Sequence, residues 1–267
     1  MDFKIPPITK EYLRECRIKT YLDLRKDKSS LAYWHPKIEQ YNSIQSLLAN
    51  MIPQPETHIV RLSYEEILDE SKKHSRFYDL NMQRIKEACA KVGYPCFIKT
   101  DKFSGKHDWA DTCFVKSEKD IEKHIYAVTA MASMCGCEPA LDMVVRKLIP
   151  TVPLFYAFKG NLPIVTERRY FVENGKVIFH HPYWIPSSIQ KPSIPNWLKI
   201  LNEDNIEPID EITYLCGLTE KIGVLLGESW SVDWLNDKDG NWWLTDMAEA
   251  EKSFMWDDYG LGKIGLK

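Results

Sequence analysis

Two apolar, β-prone runs flank a short polar turn in the last third of the chain. The stretch reads SVDWL, NDKDGN and WWLTDMA over residues 231–248. Asp239-Gly240 within the turn tolerates the positive φ angles that tight β-hairpin turns require. The pattern therefore predicts two antiparallel strands, and it brings Asp233 and Asp246, one in each strand, side by side.

These two aspartates are candidates for chemistry. An unpaired buried carboxylate is costly, so two neighbouring ones require a cation or a basic partner. A divalent metal with oxygen ligands, often shared with the phosphates of a nucleotide, meets that requirement. The alternative is that both are surface acids near the turn.

Helical and strand patterns alternate through the rest of the chain. Capping residues and the spacing of apolar positions predict helices at 10–24, 63–74, 81–92, 117–134, 197–201 and 211–226. Apolar runs predict further strands at 96–100, 113–117, 141–150, 164–172 and 176–184, the last two joined by the hairpin signal Asn174-Gly175. Pro150 and Pro153 close the strand at 141–150 and indicate a hinge between two lobes.

Basic residues gather on and after the strand at 96–100. Lys99 lies in that strand, and Ser104-Gly105-Lys106 follows in a polar loop. Backbone N–H groups and lysines on such a loop can hold phosphate oxygens. The GxxxxGK[ST] spacing of a Walker A loop is absent, and the alternative for Lys99 is a solvated lysine at a strand end.

Two adjacent arginines lie in the predicted strand at 164–172. Arg168 and Arg169 face opposite sides of the sheet, because successive side chains of a strand alternate. Arg169 shares its face with Glu167. We therefore expect Arg169, rather than Arg168, to point into a cleft.

Composition limits the classes of protein. The 267 residues are 44% hydrophobic, which suits one large domain or two compact lobes. The net charge of −3 differs from the strongly positive charge that is typical of nucleic-acid-binding proteins. No apolar run approaches the roughly 20 residues that span a bilayer, and the N-terminus has no signal core. Seven cysteines without metal-site spacing indicate a reducing compartment, so we expect a soluble, cytoplasmic protein with no membrane partner.

The order of these features resembles the ATP-grasp fold, in which two α+β lobes hold ATP between them. The resemblance spans about residues 77–256 and is carried by FIKTDKFSGKHDW, VVRKLIP, ERRYFVENGKVIFHHPYW and WSVDWLNDKDGNWWLTDMAEAEKSF. The small ATP-grasp proteins of bacteriophage and bacterial genomes look most similar, and a phage-encoded chain would act in the host cytoplasm. The resemblance implies an α+β fold with an N-terminal segment or pre-grasp lobe at 1–75, a small lobe at 76–150 and a C-terminal lobe with a metal-binding hairpin at 151–267.

The resemblance also implies which residues bind ATP. Lys99 would contact the α- and β-phosphates, residues 104–106 would form the loop over the triphosphate, and residues 146–149 would read the adenine edge between the lobes. The implied cofactor-binding residues are Lys99, Ser104, Gly105, Lys106, Arg146, Lys147, Leu148, Ile149 and Glu167.

Catalytic and metal-binding roles follow from the same resemblance. Arg169 would stand near the γ-phosphate or an acyl-phosphate intermediate, and Lys147 would turn towards adenine or phosphate, so both are implied catalytic residues. Asp233 and Asp246 would coordinate Mg²⁺, which bridges phosphate oxygens.

One position departs from the family pattern. The usual Glu-x-Asn ending reads Asp246-Met247-Ala248 here, so the asparagine ligand is missing. Either Glu249 or Glu251 replaces it, or the second metal is weaker or absent, or activity is lost. Glu249 is the preferred substitute as a metal ligand.

The resemblance implies an ATP-dependent carboxylate–amine ligase that acts through an acyl phosphate. The acceptor stays open among a peptide or protein tail, an amino acid and a modified nucleotide. The alternative is an ATP-binding assembly chaperone or adaptor without ligase activity, similar to the ATP-grasp branch that assembles a translation initiation factor. A third reading, the joining or modification of nucleic-acid ends, is disfavoured by the acidic balance.

Overall fold

The structure is a computed structural model that describes residues 18–46, 50–62, 76–137 and 140–256. The predicted helix at 63–74, the first part of the helix predicted at 10–24 and the tail 257–267 lie outside these residues, whereas residues 18–24 are helical. Within the described part of the chain, no helix has the length and apolar character needed to cross a membrane.

The described residues form two four-stranded antiparallel sheets, one two-stranded sheet and flanking helices, so the predicted α+β class is confirmed. The first half contains α1 (Leu31–Gln45), β1 (Thr57–Arg61), α2 (Arg76–Val92), β2 (Cys96–Thr100), β3 (Phe114–Val115), α3 (Ile121–Met134) and β4 (Asp142–Lys147). The second half contains β5 (Phe155–Ala157), β6 (Leu162–Ile164), β7 (Glu167–Glu173), β8 (Lys176–Pro182), α4 (Trp197–Asp204), α5 (Ile209–Leu226), β9 (Ser229–Asn236) and β10 (Trp242–Glu249).

The first sheet has the strand order β1-β4-β2-β3. Alternation along its strands sends Ile98, Met143 and Val145 into a core with α2 and α3. Val144 joins a different core, and Lys99 is its cross-strand partner in β2. Alternation therefore turns one face of this sheet towards its helices and the other, with Lys99, towards the second half of the molecule.

The second sheet has the strand order β10-β9-β7-β8. One of its faces packs on α1 and α5 through large side chains such as Trp34, Leu215, Trp230 and Trp234. The apolar stripe predicted for the helix at 211–226 supplies part of this core, since Leu215, Leu218 and Ile222 are buried. The opposite face of the sheet borders the cleft described below.

Several element boundaries differ from the predictions. The strand predicted at 164–172 is two strands, because β6 pairs with β5 and β7 pairs with β8 and β9. Thr166 lies between them, and its carbonyl accepts the N–H of Asn236 while its hydroxyl bonds Asp204. The strand predicted at 113–117 shortens to β3. The helix predicted from Ser117 begins at Ile121, since the Ser117 hydroxyl donates to the carboxylate of Asp120 instead of capping a helix N–H group.

Both predicted hairpins are present. Asn174 and Gly175 have φ angles of 48° and 80°, as a two-residue turn between right-twisted strands requires. The strands β9 and β10 flank the turn that contains Gly240, and Asp233 and Asp246 are cross-strand partners. The predicted hairpin that carries Asp233 and Asp246 is therefore confirmed.

Candidate functional site

A cleft of about 630 Å³ lies between the two sheets. It receives side chains from β2, the loop after it, β4, β6, β7, β9 and β10. Its charged lining residues are Lys99, Lys106, Lys116, Arg146, Lys147, Glu167, Asp233 and Asp246. Five basic and three acidic side chains make the lining net positive in a protein whose net charge is −3, so the cleft favours an anionic ligand.

A β-bulge places the two aspartates on the cleft side of the second sheet. Leu244 pairs with Trp234, but the register then shifts by one residue so that Asp246, and not Thr245, pairs with Asp233. Leu244 and Trp234 are fully buried in the core on the opposite face. Without the bulge, alternation would put Asp246 on the same face as Leu244, inside the core.

Each aspartate holds one basic side chain. Lys99 Nζ donates to Asp246 Oδ2 at 2.8 Å. Arg169 donates to both carboxylate oxygens of Asp233, from Nε to Oδ1 at 2.7 Å and from Nη2 to Oδ2 at 2.8 Å. Burial raises the pKa of Asp246, but the charge and hydrogen bond of Lys99 and the charge of Arg146 outweigh it and hold this pKa below its usual value. Burial lowers the pKa of Arg169, and Asp233 more than offsets this effect, so the pKa is raised. Both Asp246 and Arg169 are therefore charged at neutral pH.

Lys106 crosses from the loop after β2 to the second sheet. Its ammonium lies 3.4 Å from the carboxylate of Glu167 and sits over the rings of Tyr183 and Trp184, at 3.9 and 4.6 Å from their centroids. Trp184 Nε1 also donates to Glu167 at 2.8 Å. Burial lowers the pKa of Lys106, but Glu167, Tyr183 and Asp233 together outweigh it, so the pKa is raised and the ammonium persists.

The loop that carries Lys106 packs tightly on the turn between β5 and β6. The N–H of Ala110 donates to the carbonyl of Gly160 at 3.2 Å, and His107 stacks on Phe158 with ring centroids 4.1 Å apart. A Cβ atom at residue 160 would lie 2.3 Å from the backbone nitrogen of Trp109, so only glycine permits this approach. Ser104 and Lys106 line the cleft, whereas Gly105, with a φ of 62°, turns the backbone and contacts Thr112.

The segment after β4 supplies one wall of the cleft. Lys147, Leu148 and Ile149 line it, and the lysine side chain is exposed at the strand end. Arg146 is buried, and its guanidinium donates to Thr57 Oγ1 and to the carbonyls of residues 244 and 245 at the bulge. Burial lowers the pKa of Arg146 to about 10, partly opposed by Asp246. Arg146 thus ties the first sheet to the bulge of the second.

Glu249 is not brought to the two aspartates. It follows Asp246 by three residues, so alternation puts it on the opposite face, the side of the buried Met247. Its carboxylate pairs with Lys252 at 2.5 Å, and its N–H bonds Ser29. Across residues 18–46, 50–62, 76–137 and 140–256, no group of three or more His, Cys, Asp or Glu side chains forms a site that could hold a metal ion.

The two aspartates alone nevertheless suit Mg²⁺. This ion usually takes one or two carboxylates and completes its coordination with water and substrate phosphates, so a full cage of protein ligands is not needed. Each carboxylate has about four lone-pair sites, more than one basic partner occupies. The oxygen donors of Asp233 and Asp246 therefore fit a metal that arrives with phosphates.

Sequence reasoning missed the aromatic part of the site. Tyr183 and Trp184 hold Lys106, and Trp109 and Tyr156 also line the cleft. The N–H of Tyr183 donates to the carbonyl of Glu167. Counting cross-strand pairs outward from the Asn174-Gly175 turn would have placed Pro182 opposite Glu167, one residue short of Tyr183, because a β-bulge between Phe171 and Val172 shifts the register.

Comparisons with known proteins give only distant similarities. No family model matches the chain, and no curated protein matches it. Among solved structures, Cdc123 from Schizosaccharomyces pombe is 13% identical over 83% of each chain, with a TM-score of 0.46. A RimK domain ATP-grasp protein from Sphaerobacter thermophilus is 16% identical over 79% of this chain and 58% of its own, with a TM-score of 0.39.

The D-alanine–D-alanine ligase from Bacillus anthracis, solved in complex with ATP, is 14% identical over 80% of this chain and 50% of its own, with a TM-score of 0.38. Solved ATP-grasp structures are thus among those that this chain resembles. Similarities at this level carry no argument about activity, and a bacteriophage origin stays a prediction.

Proposed function

We propose that the protein is an ATP-dependent ligase that joins a carboxylate to an amine. One observation supports this most directly: two cross-strand aspartates face a net-positive cleft together with Lys99, Lys106 and Lys147. This combination suits a polyphosphate bound with a divalent metal, because the lysines offset anionic charge and the carboxylates hold the cation.

Individual residues take defined roles in this proposal. Lys99 and Lys106 bind phosphate oxygens, and Lys147, Leu148 and Ile149 form the wall along the base. Asp233 and Asp246 hold Mg²⁺, which offsets charge on the phosphates when it is bound. The loop at 101–111 shields the phosphates from water, because it is already packed against Gly160 of the opposite half.

The proposed reaction balances in two steps. An oxygen of the substrate carboxylate bonds to the γ-phosphorus of ATP as ADP leaves, and this yields an acyl phosphate. The amine nitrogen then bonds to the acyl carbon as phosphate leaves, and one proton is released. Positioning and charge stabilisation suffice for this chemistry, so the protein needs no covalent nucleophile. Arg169 is the candidate for the charge that develops on the transferred phosphoryl group.

A second candidate is an ATP-binding chaperone or adaptor that assembles proteins without ligating them. The position of Glu249 favours it, because the replacement proposed for the missing asparagine ligand points away from the cleft and pairs with Lys252. Two carboxylates hold one metal with a bound nucleotide but leave a second metal with fewer protein ligands. Such a site suits nucleotide binding at least as well as phosphoryl transfer.

Titration calorimetry with ATP, in the presence and absence of Mg²⁺, tests the shared part of both proposals. Wild type is expected to bind ATP in a Mg²⁺-dependent way, and Asp246→Asn is expected to lose that dependence. Asp239→Asn is the matched control, since Asp239 lies in the turn of the same hairpin and pairs only with Lys238 among the described residues. Absence of ATP binding by the wild type would overturn both candidates.

Release of ADP separates the two candidates. A ligase is expected to release ADP and phosphate only when both a carboxylate and an amine are supplied, with amino acids and peptides as the first compounds to screen. Tight ATP binding without turnover, combined with ATP-dependent retention of a protein partner, would favour the chaperone and contradict the ligase.

A further inference from the structure

The carboxylates that suit a metal are already neutralised by side chains of the protein. Asp246 bonds Lys99, which comes from β2 of the first sheet and is only 2% exposed. Asp233 bonds Arg169 through two parallel hydrogen bonds, the strongest geometry available to an arginine–carboxylate pair. The four groups form two ion pairs side by side, because Asp233 and Asp246 are cross-strand partners.

We propose that Lys99 and Arg169 are built-in counter-ions that a polyphosphate must displace before a divalent cation can bind the two aspartates tightly. Cation and polyphosphate would then bind synergistically, each weakly alone. The inference rests on the proposed function, because it takes the cleft to be a nucleotide site.

A cation that bound without a polyphosphate would leave two positively charged side chains of the protein without partners. If a metal took both carboxylates, the buried Lys99 and the largely buried Arg169 would lose their partners. Leaving a buried charge without a partner is strongly unfavourable. A polyphosphate would change this balance, since its oxygens would bind Lys99 and Arg169 and leave Asp233 and Asp246 free to hold the metal.

The electrostatics of the cleft act in the same direction. Its lining is net positive, so it attracts an anion and repels a free cation. Lys116 and Lys147 line the cleft and, among the described residues, form no ion pair with a carboxylate. A polyphosphate therefore finds available positive charge before any pair opens, whereas a lone cation finds only paired carboxylates.

The wild-type protein provides the first test. Binding of Mn²⁺ alone is measured by the EPR signal of the free ion, and binding of ATP is measured by calorimetry in EDTA and in Mn²⁺. We expect Mn²⁺ to raise the affinity for ATP by about tenfold or more, and the same factor to apply to Mn²⁺ when ATP is present, because coupling is reciprocal. Equal affinity for Mn²⁺ with and without ATP would overturn the proposal.

Variants test the counter-ions directly. Lys99→Met and Arg169→Met each release one aspartate and should bind Mn²⁺ alone about tenfold more tightly than wild type, in the middle of the usual range for such couplings. Lys116→Met is the matched control: it removes one positive charge from the same cleft, but Lys116 bonds neither aspartate. Equal Mn²⁺ affinity in all three variants would reduce the effect to general electrostatics and overturn the proposal.

Two further outcomes distinguish a failure of the counter-ion role from a failure of ATP binding. If ATP fails to bind with any cation, the proposed function fails, but tighter binding of Mn²⁺ alone by Lys99→Met would still support the counter-ion role. Thermal unfolding of each variant shows whether it is folded, and Lys99→Gln serves as the second variant if Lys99→Met is not. A folded Lys99→Gln protein that binds Mn²⁺ no better than wild type would contradict the proposal.

Discussion

The two faces of the sheet formed by β7 to β10 hold buried charges from the same strands in different ways. Arg168 faces the helical side, where it bonds Asp204 and Glu211, and its side chain is 2% exposed. Its neighbour Arg169 lies on the cleft side of the sheet and bonds Asp233, although Arg169 itself is not among the residues that line the cavity. On that side the Asp246 side chain is 44% exposed even though it is ion-paired.

This difference separates a structural network from a site. The Arg168 network is closed towards the cleft: it lies on the opposite face of the sheet with partners in α4 and at the start of α5, and neither Arg168 nor these partners line the cavity. On the cleft face, the Lys99–Asp246 pair joins the two halves of the molecule, and both Asp233 and Asp246 line the cavity, where the proposed anionic ligand would replace a partner. Burial and ion pairing alone do not indicate function. A functional site is indicated when, in addition, a ligand can reach the ion pair and compete for one of its members.

The largest expected effect is on stability at the closed network. Arg168→Leu should lower the free energy of unfolding by about 3–5 kcal/mol, because Asp204 and Glu211 are left without their buried cation. Arg169→Leu should cost less, since it leaves one carboxylate, Asp233, without its partner, whereas Arg168→Leu leaves two. Urea denaturation of both variants checks the comparison, and equal losses would show that the two faces do not differ.

The second largest effect is expected where the loop at 101–111 packs on Gly160. Gly160→Ala should destabilise the protein by about 1–3 kcal/mol and weaken ATP binding, because the added methyl overlaps the backbone of Trp109 and pushes the loop away. Gly217→Ala is the control: it lies in α5 with no heavy atom within 4 Å of the new Cβ, and it should be neutral or stabilising. Similar losses from both substitutions would rule out a specific role for the loop contact.

A smaller, pH-dependent effect is expected from His35 on the core side. Burial and then the charge of Arg146 lower the pKa of this histidine from 6.5 to about 3. Below pH 6.5 the His35 side chain binds a proton in the unfolded chain but not in the folded protein. The free energy of unfolding therefore falls as the pH is lowered. The loss between pH 7 and pH 5 should be on the order of 1–2 kcal/mol.

His35→Leu tests this effect and should remove that part of the pH dependence. Neither ring nitrogen of His35 has a hydrogen-bond partner within the described residues, so the variant should be no less stable at pH 7. Urea denaturation of both proteins between pH 5 and pH 7 makes the comparison. Parallel pH profiles for wild type and variant would show that His35 is not the titrating group.

The smallest expected effect concerns Glu249. Because its side chain lies on the face opposite Asp246 and pairs with Lys252, Glu249→Gln should leave Mg²⁺-dependent ATP binding unchanged within calorimetric error. A marked loss of affinity would mean that Glu249 reaches the cleft when the ligand binds, as the sequence prediction has it.

Much of the local structure could be predicted from the chain alone. The Asn174-Gly175 turn, the hairpin that contains Asp233 and Asp246, and the split of Arg168 and Arg169 between two faces all follow from side-chain alternation and turn preferences. These features depend on residues close in sequence, so short-range rules suffice. The break at Thr166 was missed, because it depends on bonds to Asp204 and Asn236, which are distant in sequence.

The sequence by itself determined that the two strands of one hairpin each carry an acidic residue and that lysines lie on and after β2. Only the tertiary structure decided what these groups do. The bulge at Thr245 turns Asp246 towards the cleft, because Leu244 and Met247 both have to fill the core on the other face. Lys99 meets Asp246 only after two sheets have packed together, across 147 positions of the chain. No local pattern encodes such a contact, since it arises from the packing of whole elements.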